Sequence, residues 1–180
     1  TEAATEVATT EPDDGQGEDT PIPGDSSEPE VTPETDPEGE EAAGSTGFIY
    51  PLENYRRTQG FGCSSLGFYP YDPDFGCAVH DGLDLAAPSG TPLVASADGE
   101  VIAAGWCDCG LGYYVEIDHG EGVHTVYGHM VGQPSVSTGQ QVSQGDVIGA
   151  VGSTGISTGP HVHFMIRVNG VAQNPESYLP

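Results

Sequence analysis

The chain has 180 residues, with 28 acidic residues against three arginines and no lysine, which gives a formal net charge of −25 at pH 7. Nucleic-acid binding depends on contacts from Lys and Arg to phosphate, so this composition excludes a nucleic-acid partner. The same charge would repel anionic lipids, and the sequence has no apolar run long enough for a transmembrane helix. We therefore expect no direct insertion into a membrane.

Residues 1–46 differ in composition from the rest of the chain. They hold 15 Asp or Glu, no basic residue, many Thr and Pro, and no periodic apolar pattern. Such a segment cannot bury enough apolar surface to offset its ordering entropy, so we predict a disordered acidic linker that acts as a solvated spacer. The remaining residues, 47–180, suffice for one folded domain.

The four cysteines indicate that the protein is exported from the cytoplasm. An even number of cysteines in a small domain is typical of disulfides formed in an oxidising compartment. Local pairing would join Cys63 to Cys77 and Cys107 to Cys109, although the other two connectivities, and a metal site at Cys107 and Cys109, remain open. Because the chain starts at Thr1 rather than Met, we expect that an upstream export signal or anchor was removed. The expected protein is an exported monomer, extracellular or in the cell envelope.

The motif HDGLD contains two candidate metal ligands, His80 and Asp84. Gly82, the apolar alternation around Asp84 and the turn-forming segment AAPSG favour a strand that enters a turn. Imidazole nitrogen and carboxylate oxygen are zinc ligands, and a catalytic zinc needs three protein ligands with a fourth position open. The helical motif HExxH is absent, so a zinc-protease arrangement with a glutamate base is excluded.

Apolar or alternating runs separated by turn signals predict a mainly β domain. The runs lie at residues 92–97, 100–106, 113–119, 123–130, 146–151 and 161–168. The sequence has no long helical pattern. We expect antiparallel, twisted sheets that form an open cleft, floored by the strand at 161–168.

Three histidines lie between the two metal-binding motifs. His129, in YGHM, adds to the pattern of candidate metal and catalytic residues. His119 precedes a glycine-rich turn at a predicted strand end, and we expect it to stabilise that turn. His124 alternates with apolar residues on a predicted strand and is expected to face solvent.

The motif HVH supplies the third candidate ligand. Residues i and i+2 of a strand point to the same face, so His161 and His163 project together while Val162 points away. One of the two can bind the metal with His80 and Asp84 while the other faces the substrate. The preceding segment GSTGISTGP lacks the lysine of a nucleotide-binding loop, and we interpret it as a tight loop that presents HVH.

Five segments together resemble the zinc endopeptidases of the lysostaphin and LytM type, peptidase family M23. The segments are VHDGLDLAAPSGTPLVASADGEVIAAGW, GYYVEIDHG, TVYGHM, GDVIGAVGSTGISTGPHVHF and RVNGVAQNPESYL. The resemblance covers roughly residues 58–180, and its motifs are specific in order, type and spacing. It implies a mainly β peptidase domain with an open cleft.

The resemblance also implies roles for individual residues. In that family the His and Asp of HxxxD and the second His of HxH bind Zn²⁺, which corresponds to His80, Asp84 and His163. The first His of HxH and the His of the Tyr-x-His segment form the catalytic pair, here His161 and His129. The implied activity is hydrolysis of peptide bonds in the stem peptides or cross-bridges of bacterial cell-wall peptidoglycan, by zinc-activated water.

Two departures and two alternative functions accompany this interpretation. Met165 stands where many relatives have an acidic residue, and an insertion from about Cys63 to Cys77 lies beside His80, where it affects the shape of the cleft. A catalytically inactive cell-wall-binding or regulatory module of the same fold is the first alternative, although such modules typically lose ligands. A carbohydrate-binding module with a structural metal is the second, and it would show stacking aromatic residues in a groove.

Overall fold

The computed structural model of the protein describes residues 47–67 and 69–180. The linker predicted for residues 1–46 lies outside the described residues. The described chain forms thirteen β-strands and one short 3₁₀ helix, and it contains no α-helix. The strands are β1 (Arg56–Gln59), β2 (Gly62–Cys63), β3 (Tyr71–Asp72), β4 (Cys77–His80), β5 (Leu83–Ala86), β6 (Pro92–Val94), β7 (Gly99–Cys107), β8 (Gly112–Asp118), β9 (Val123–Met130), β10 (Gln141–Val142), β11 (Val147–Ala150), β12 (His161–Val168) and β13 (Val171–Gln173), and the 3₁₀ helix spans Pro175–Ser177.

Eight strands form the main sheet, in the order β1-β5-β12-β9-β8-β7-β10, with β13 paired to the carboxyl-terminal end of β12. All of its strand pairs are antiparallel. Strands β6 and β11 form a second, two-stranded sheet, and β2, β4 and β3 form a third. The predicted architecture of mainly β structure in antiparallel sheets is confirmed.

The central strand β12 separates the hydrophobic core from the site. Val162 and Phe164 on one face are fully buried in the core, where Phe164 packs against Tyr127 with ring centroids 5.3 Å apart. Burial of each large apolar side chain contributes about 1.5–3 kcal/mol to stability. His161 and His163 project from the opposite face, as the alternation of a strand requires. The core thus fixes the strand that carries HVH.

The predicted strands at 123–130 and 161–168 coincide with β9 and β12, and those at 100–106 and 113–119 differ from β7 and β8 by one residue at the ends. The strand predicted at 92–97 ends at Val94, and the one predicted at 146–151 is shortened to Val147–Ala150. The register between these two strands shifts between Val147 and Gly149. This irregularity limits the paired length to fewer residues than the apolar runs suggest.

The insertion before His80 folds as the small sheet β2-β4-β3. A disulfide between Cys63 and Cys77, with Cα atoms 5.6 Å apart, links β2 to β4. Cys107 and Cys109 form a second disulfide at the end of β7, with Cα atoms 5.2 Å apart. No cysteine is free, so the alternative metal site at Cys107 and Cys109 is not formed in this structure.

Within the described residues, no helix has the length and apolar character needed to span a membrane.

Candidate metal centre and active site

Strand pairing brings His80, Asp84 and His163 to one point. Asp84 on β5 pairs directly with His163 on β12, so their side chains share the face of the sheet opposite the core. His80 ends β4, and only Asp81 and Gly82 separate it from β5. The chain therefore turns back at HDGLD, and both polar ends of the motif meet the HVH strand. All three side chains are buried.

The potential ligand atoms of these three residues form a small triangle. The Nε2 atom of His80 lies 3.1 Å from Oδ1 of Asp84 and 3.0 Å from Nδ1 of His163. The Nδ1 atom of His163 lies 2.9 Å from Oδ1 of Asp84. Three ligands of a tetrahedral zinc with bonds of about 2.0–2.2 Å lie about 3.3–3.6 Å apart, so outward shifts of a few tenths of an ångström would fit the metal.

Hydrogen bonds at the far side of each imidazole direct its lone pair into this triangle. The Nδ1–H group of His80 donates to the carbonyl of Gly60 over 2.7 Å, because a carbonyl can only accept. The Nε2 atom of His163 lies 3.3 Å from Oδ1 of Asp81, and a carboxylate likewise only accepts. His80 therefore presents Nε2 and His163 presents Nδ1 as electron-pair donors beside the Asp84 carboxylate. This donor set suits a divalent cation.

The electrostatics of the triangle favour positive charge. Burial alone would lower the pKa of His163, but hydrogen bonds to Asp81 and Asp84 and their negative charges outweigh it and raise that pKa to about 9. Burial would raise the pKa of the Asp84 carboxyl, yet hydrogen bonds from His163 and His80 hold it well below the usual range. A buried centre that stabilises a positive charge in this way fits the residues expected to bind a metal cation.

Gly82 gives the HDGLD turn the space it needs beside His163. A Cβ atom at this position would lie 2.7 Å from Cε1 of His163 and 2.7 Å from the carbonyl oxygen of Phe164. No side chain fits at that distance without displacing β12 or the imidazole ring. The glycine in HDGLD is therefore required by close packing against His163, the third candidate ligand.

His129 and His161 form a second pair beside the triangle. Their ring centroids are 4.7 Å apart, and the His129 centroid lies 5.9 Å from that of His163. The Nδ1–H of His129 donates to the carbonyl of Thr154 over 2.7 Å, and the Nδ1–H of His161 donates to the carbonyl of Gly159 over 2.8 Å. Both rings thus keep Nε2 as a hydrogen-bond acceptor. The Nε2 atom of His161 lies 3.6 Å from Oδ1 of Asp84.

The backbone of His129 is held in an uncommon conformation. Its φ angle is 60°, in the left-handed region that non-glycine residues rarely adopt. Its amide donates to the carbonyl of Leu111 over 2.7 Å, which, with the bond from its ring to Thr154, holds the residue in place. Strained conformations of this kind cost about 1–3 kcal/mol and cluster at functional sites.

The pKa of His129 is lowered to about 4. The main cause is burial, which removes water from the charged form, and the positive charge on a protonated His161 adds to the effect. The residue is only 6% exposed. His129 is therefore neutral at pH 7 and can accept a proton.

Two loops that carry glycines position the carbonyl to which His129 is bonded. The hydroxyl of Thr154 donates to the carbonyl of Met130 and accepts the amide of Tyr113, at 2.7 and 3.0 Å. A Cβ on Gly112 would lie 2.5 Å from Oγ1 of Thr154, and a Cβ on Gly155 would lie 2.2 Å from the carbonyl oxygen of Gly110. Gly112 and Gly155 thus allow the two loops to meet and hold Thr154. The loop that contains Gly155 is the one that the sequence predicts to present HVH.

The site opens into a cleft with a volume of about 680 Å³. One wall comes from the cysteine-bearing insertion, which contributes Leu66, Tyr69 and Pro70. The ring of Tyr69 packs on His80 with centroids 5.0 Å apart. The loops that begin at Cys109 and at Ile156 also line the cleft. The insertion therefore shapes the cleft next to His80, the first candidate ligand.

The other two histidines lie outside this cleft. The ring of His119 bonds to the carbonyl of Asp98 at 2.6 Å and to Oγ1 of Thr125 at 2.7 Å, and it ties the turn after β8 to neighbouring strands. His124 lies 3.0 Å from Oε1 of Glu116 and is half-buried, so its ring is less open to solvent than the sequence predicted. Met165, where many relatives have an acidic residue, lines the cleft and is only 2% exposed.

Sequence reasoning missed the groups that orient the four histidines of the site. These are the Asp81 carboxylate and the backbone carbonyls of Gly60, Thr154 and Gly159. The one signal in the sequence was Asp81, an acidic residue directly after a candidate ligand. The carbonyls had no signal, because any residue type supplies one.

Comparison with known proteins gives consistent matches. The sequence model described as Peptidase family M23 matches residues 78–175. The DD-carboxypeptidase/endopeptidase Mpg of Neisseria meningitidis is 49% identical over 100 residues, which cover 55% of this chain and 22% of the relative. The peptidoglycan DD-endopeptidase ShyC of Vibrio cholerae is 42% identical over 99 residues, with coverage of 55% and 22%. This chain spans about a fifth of the length of these curated relatives.

A solved structure shares the fold. The catalytic domain of the antimicrobial peptidase lysostaphin from Staphylococcus simulans has a TM-score of 0.60 and 32% sequence identity to this chain. The match covers 69% of this chain and 91% of the lysostaphin chain. The region that is similar therefore includes nearly the whole of that catalytic domain.

Proposed function

We propose that this chain, which belongs to peptidase family M23, is a zinc-dependent endopeptidase that hydrolyses peptide bonds in the stem peptides or cross-bridges of bacterial peptidoglycan. One observation carries the proposal. Three electron-pair donors from His80, Asp84 and His163 converge within 2.9–3.1 Å of one another, beside the paired imidazoles of His129 and His161 in an open cleft. That combination supplies a cation site and proton acceptors at one place.

His80, Asp84 and His163 are the proposed metal ligands. Zinc bound there would supply a Lewis acid that polarises a peptide carbonyl and lowers the pKa of water toward about 7. Asp81 and the Gly60 carbonyl accept the N–H bonds on the far side of the two rings, so each neutral imidazole presents its other nitrogen to the metal. Three protein ligands leave a position open for the reactants, as a catalytic rather than structural site requires.

His129 and His161 are the proposed proton-transfer pair. Both accept at Nε2, because each Nδ1–H is already bonded to a backbone carbonyl. Burial keeps His129 neutral at pH 7, so it can take the proton that an attacking water loses. In its protonated form, either ring can donate a hydrogen bond to the oxyanion of the tetrahedral intermediate or a proton to the leaving amine. We assign these steps to the pair as a unit.

The cleft shape and the relatives support a peptide of the cell wall as substrate. An open cleft of about 680 Å³ can admit an extended peptide. ShyC is named as a peptidoglycan DD-endopeptidase and Mpg as a DD-carboxypeptidase/endopeptidase. Two disulfides support an oxidising compartment outside the cytoplasm, where the wall lies. We therefore place the activity in the cell envelope or outside the cell.

Digestion of purified peptidoglycan tests this proposal. The full chain, loaded with zinc, is incubated with sacculi of different cross-bridge chemistry, and the soluble products are identified by mass spectrometry. New amino termini within stem peptides or cross-bridges, with intact glycan strands, are the expected products. The matched control is the His163→Ala variant, which should release none. New reducing sugar ends without new amino termini would show a glycosidase and contradict the proposal.

A further inference from the structure

The three arginines of this acidic chain are used differently. Arg57 forms an ion pair with Glu176. Arg167 lies with Nη1 3.7 Å from Oε1 of Glu116 and with Nη2 3.8 Å from Sδ of Met165. Arg56, by contrast, makes no ion pair or side-chain hydrogen bond with any residue that the structure describes. Its exposed guanidinium lines the cleft.

Strand register places Arg56 on the same face as His161, one of the proposed catalytic pair. Arg56 on β1 pairs with Ala86 on β5, and Ala86 pairs with His161 on β12. Directly paired residues of an antiparallel sheet point to one face, so the three side chains form a row across the floor of the cleft. Neighbouring strands are about 4.8 Å apart, which puts the Cα atoms of Arg56 and His161 about 10 Å apart.

Arg57 points away from this row. It pairs with Leu85, which pairs with Val162, and both of these apolar side chains belong to the core face. The two adjacent arginines therefore carry the same charge on the same strand but reach different surroundings. Of these two, only Arg56 lines the cleft. Arg167 lines it as well, but its guanidinium lies 3.7 Å from the Glu116 carboxylate.

The chemistry of Arg56 favours an anionic partner. A guanidinium binds carboxylates through two parallel hydrogen bonds, and these charge-assisted bonds are about twice as strong as neutral ones. Residues 47–180 hold 13 acidic residues and three arginines, so their overall field disfavours an anionic peptide. Asp81 and Asp84 line the same cleft. A single unpaired guanidinium there offsets this repulsion at one defined place.

We infer that Arg56 is a specificity residue that binds a free carboxylate of the peptide substrate. The inference rests on the proposed peptidase function and names the substrate class more closely, as a peptide with an anionic group within about three residues of the scissile bond. The spacing follows because an extended chain advances about 3.3–3.6 Å per residue. The carboxylate is either a side-chain carboxylate or the terminal one of the peptide.

The test compares two forms of one substrate. Cross-linked peptide dimers are purified from peptidoglycan, and half of the sample is chemically amidated so that its carboxylates become carboxamides. The ratio kcat/KM is measured on both forms for the wild type, Arg56→Gln and Arg57→Gln, all loaded with zinc. Arg57→Gln is the matched control, because it removes the same charge from the adjacent residue without touching the cleft.

We expect the wild type and Arg57→Gln to prefer the carboxylate form by about 10-fold or more, and Arg56→Gln to lose that preference through a lower kcat/KM on this form alone. Arg56→Lys should keep part of it. Equal losses on both forms in Arg56→Gln, or equal effects of the two arginine substitutions, would overturn the assignment. A wild type that cleaves both forms equally well would refute it while leaving the peptidase function intact. A wild type that cleaves neither form would refute both.

Discussion

The Nε2 atom of His163 lies 3.3 Å from Oδ1 of Asp81, on the side of the ring opposite the Nδ1 atom that faces His80 and Asp84. Asp81 therefore holds His163 in the tautomer whose Nδ1 is free to bind a metal. The carboxylate also makes the ring more basic. One residue of HDGLD thus orients a proposed ligand that is 82 positions away in the sequence.

Replacing Asp81 by Ala should weaken zinc binding by about 10–100-fold, the typical effect of losing a carboxylate partner of a ligating imidazole. Asp81→Asn should lose less, because the amide oxygen still accepts the Nε2–H bond. Competition against a chromophoric chelator measures the dissociation constants. Asp74→Ala, which removes an exposed acid from the same insertion, should bind zinc as the wild type does. Equal affinity in Asp81→Ala would exclude this orienting role.

Replacing Gly82 by Ala should damage the metal centre through crowding alone. The new Cβ would lie 2.7 Å from the His163 ring and from the Phe164 carbonyl. Overpacking of this kind typically costs about 1–3 kcal/mol of stability. We expect a lower melting temperature and weaker zinc binding, measured by calorimetry and chelator competition. Gly132→Ala is the control, since its Cβ would meet nothing within 4 Å. Wild-type stability and affinity in Gly82→Ala would show that β12 can move freely.

Alanine variants should separate the proposed ligands from the proton-transfer pair. His80→Ala and His163→Ala should lose most of the bound zinc and the activity together. His129→Ala and His161→Ala should keep zinc and the fold but lose about 10²–10⁴-fold in turnover. Elemental analysis and steady-state kinetics on the same samples measure both properties. Zinc loss in His129→Ala, or full zinc occupancy in His163→Ala, would require the roles to be reassigned.

Zinc affinity should rise with pH up to about 9. The pKa of His163 in the metal-free protein is raised to about 9 by Asp81 and Asp84, so below that pH the metal must displace a proton. Each unit of pH lost then costs about tenfold in apparent affinity. Chelator competition across about pH 6–9 measures the slope, and a flat profile would show that the pKa of His163 is not raised in the metal-free protein.

The pKa of His129 should be about 4 and should rise when His161 is replaced by Ala. Burial is the main cause of the low value and persists in that variant, so the new pKa should stay below 6.5. A low folded pKa also means that the unfolded chain binds more protons between about pH 6.5 and pH 4, so stability falls as the pH falls through this window. Chemical shifts of the imidazole carbons measure the titration. An unchanged pKa in His161→Ala would show that the two rings are not electrostatically coupled.

The sequence predicted the structural elements that depend on local patterns. The alternation in 161–168 gave the full length of β12 and the shared face of His161 and His163. The mainly β fold and the resemblance to family M23 are confirmed. The short strands β1 to β4 were not predicted, because two to four residues are too few for an apolar period to show.

Other features that the sequence did not predict depend on contacts between distant segments. The bond between His80 and the Gly60 carbonyl, and that between His129 and the Thr154 carbonyl, join residues 20 and 25 positions apart. A backbone acceptor has no signature in the amino-acid sequence. The left-handed backbone of His129 was also unexpected, since nothing in YGHM requires it. These features arise only when the strands are packed.

Metal reconstitution tests the central claim most directly. The full chain is stripped with a chelator, and cleavage of purified peptidoglycan is followed by mass spectrometry while zinc is titrated back. We predict no cleavage in the stripped protein and full recovery of peptide-bond hydrolysis at one zinc per chain, with no recovery in His163→Ala. Undiminished hydrolysis by the stripped protein, or recovery in His163→Ala at the same stoichiometry, would contradict a catalytic zinc held by His80, Asp84 and His163.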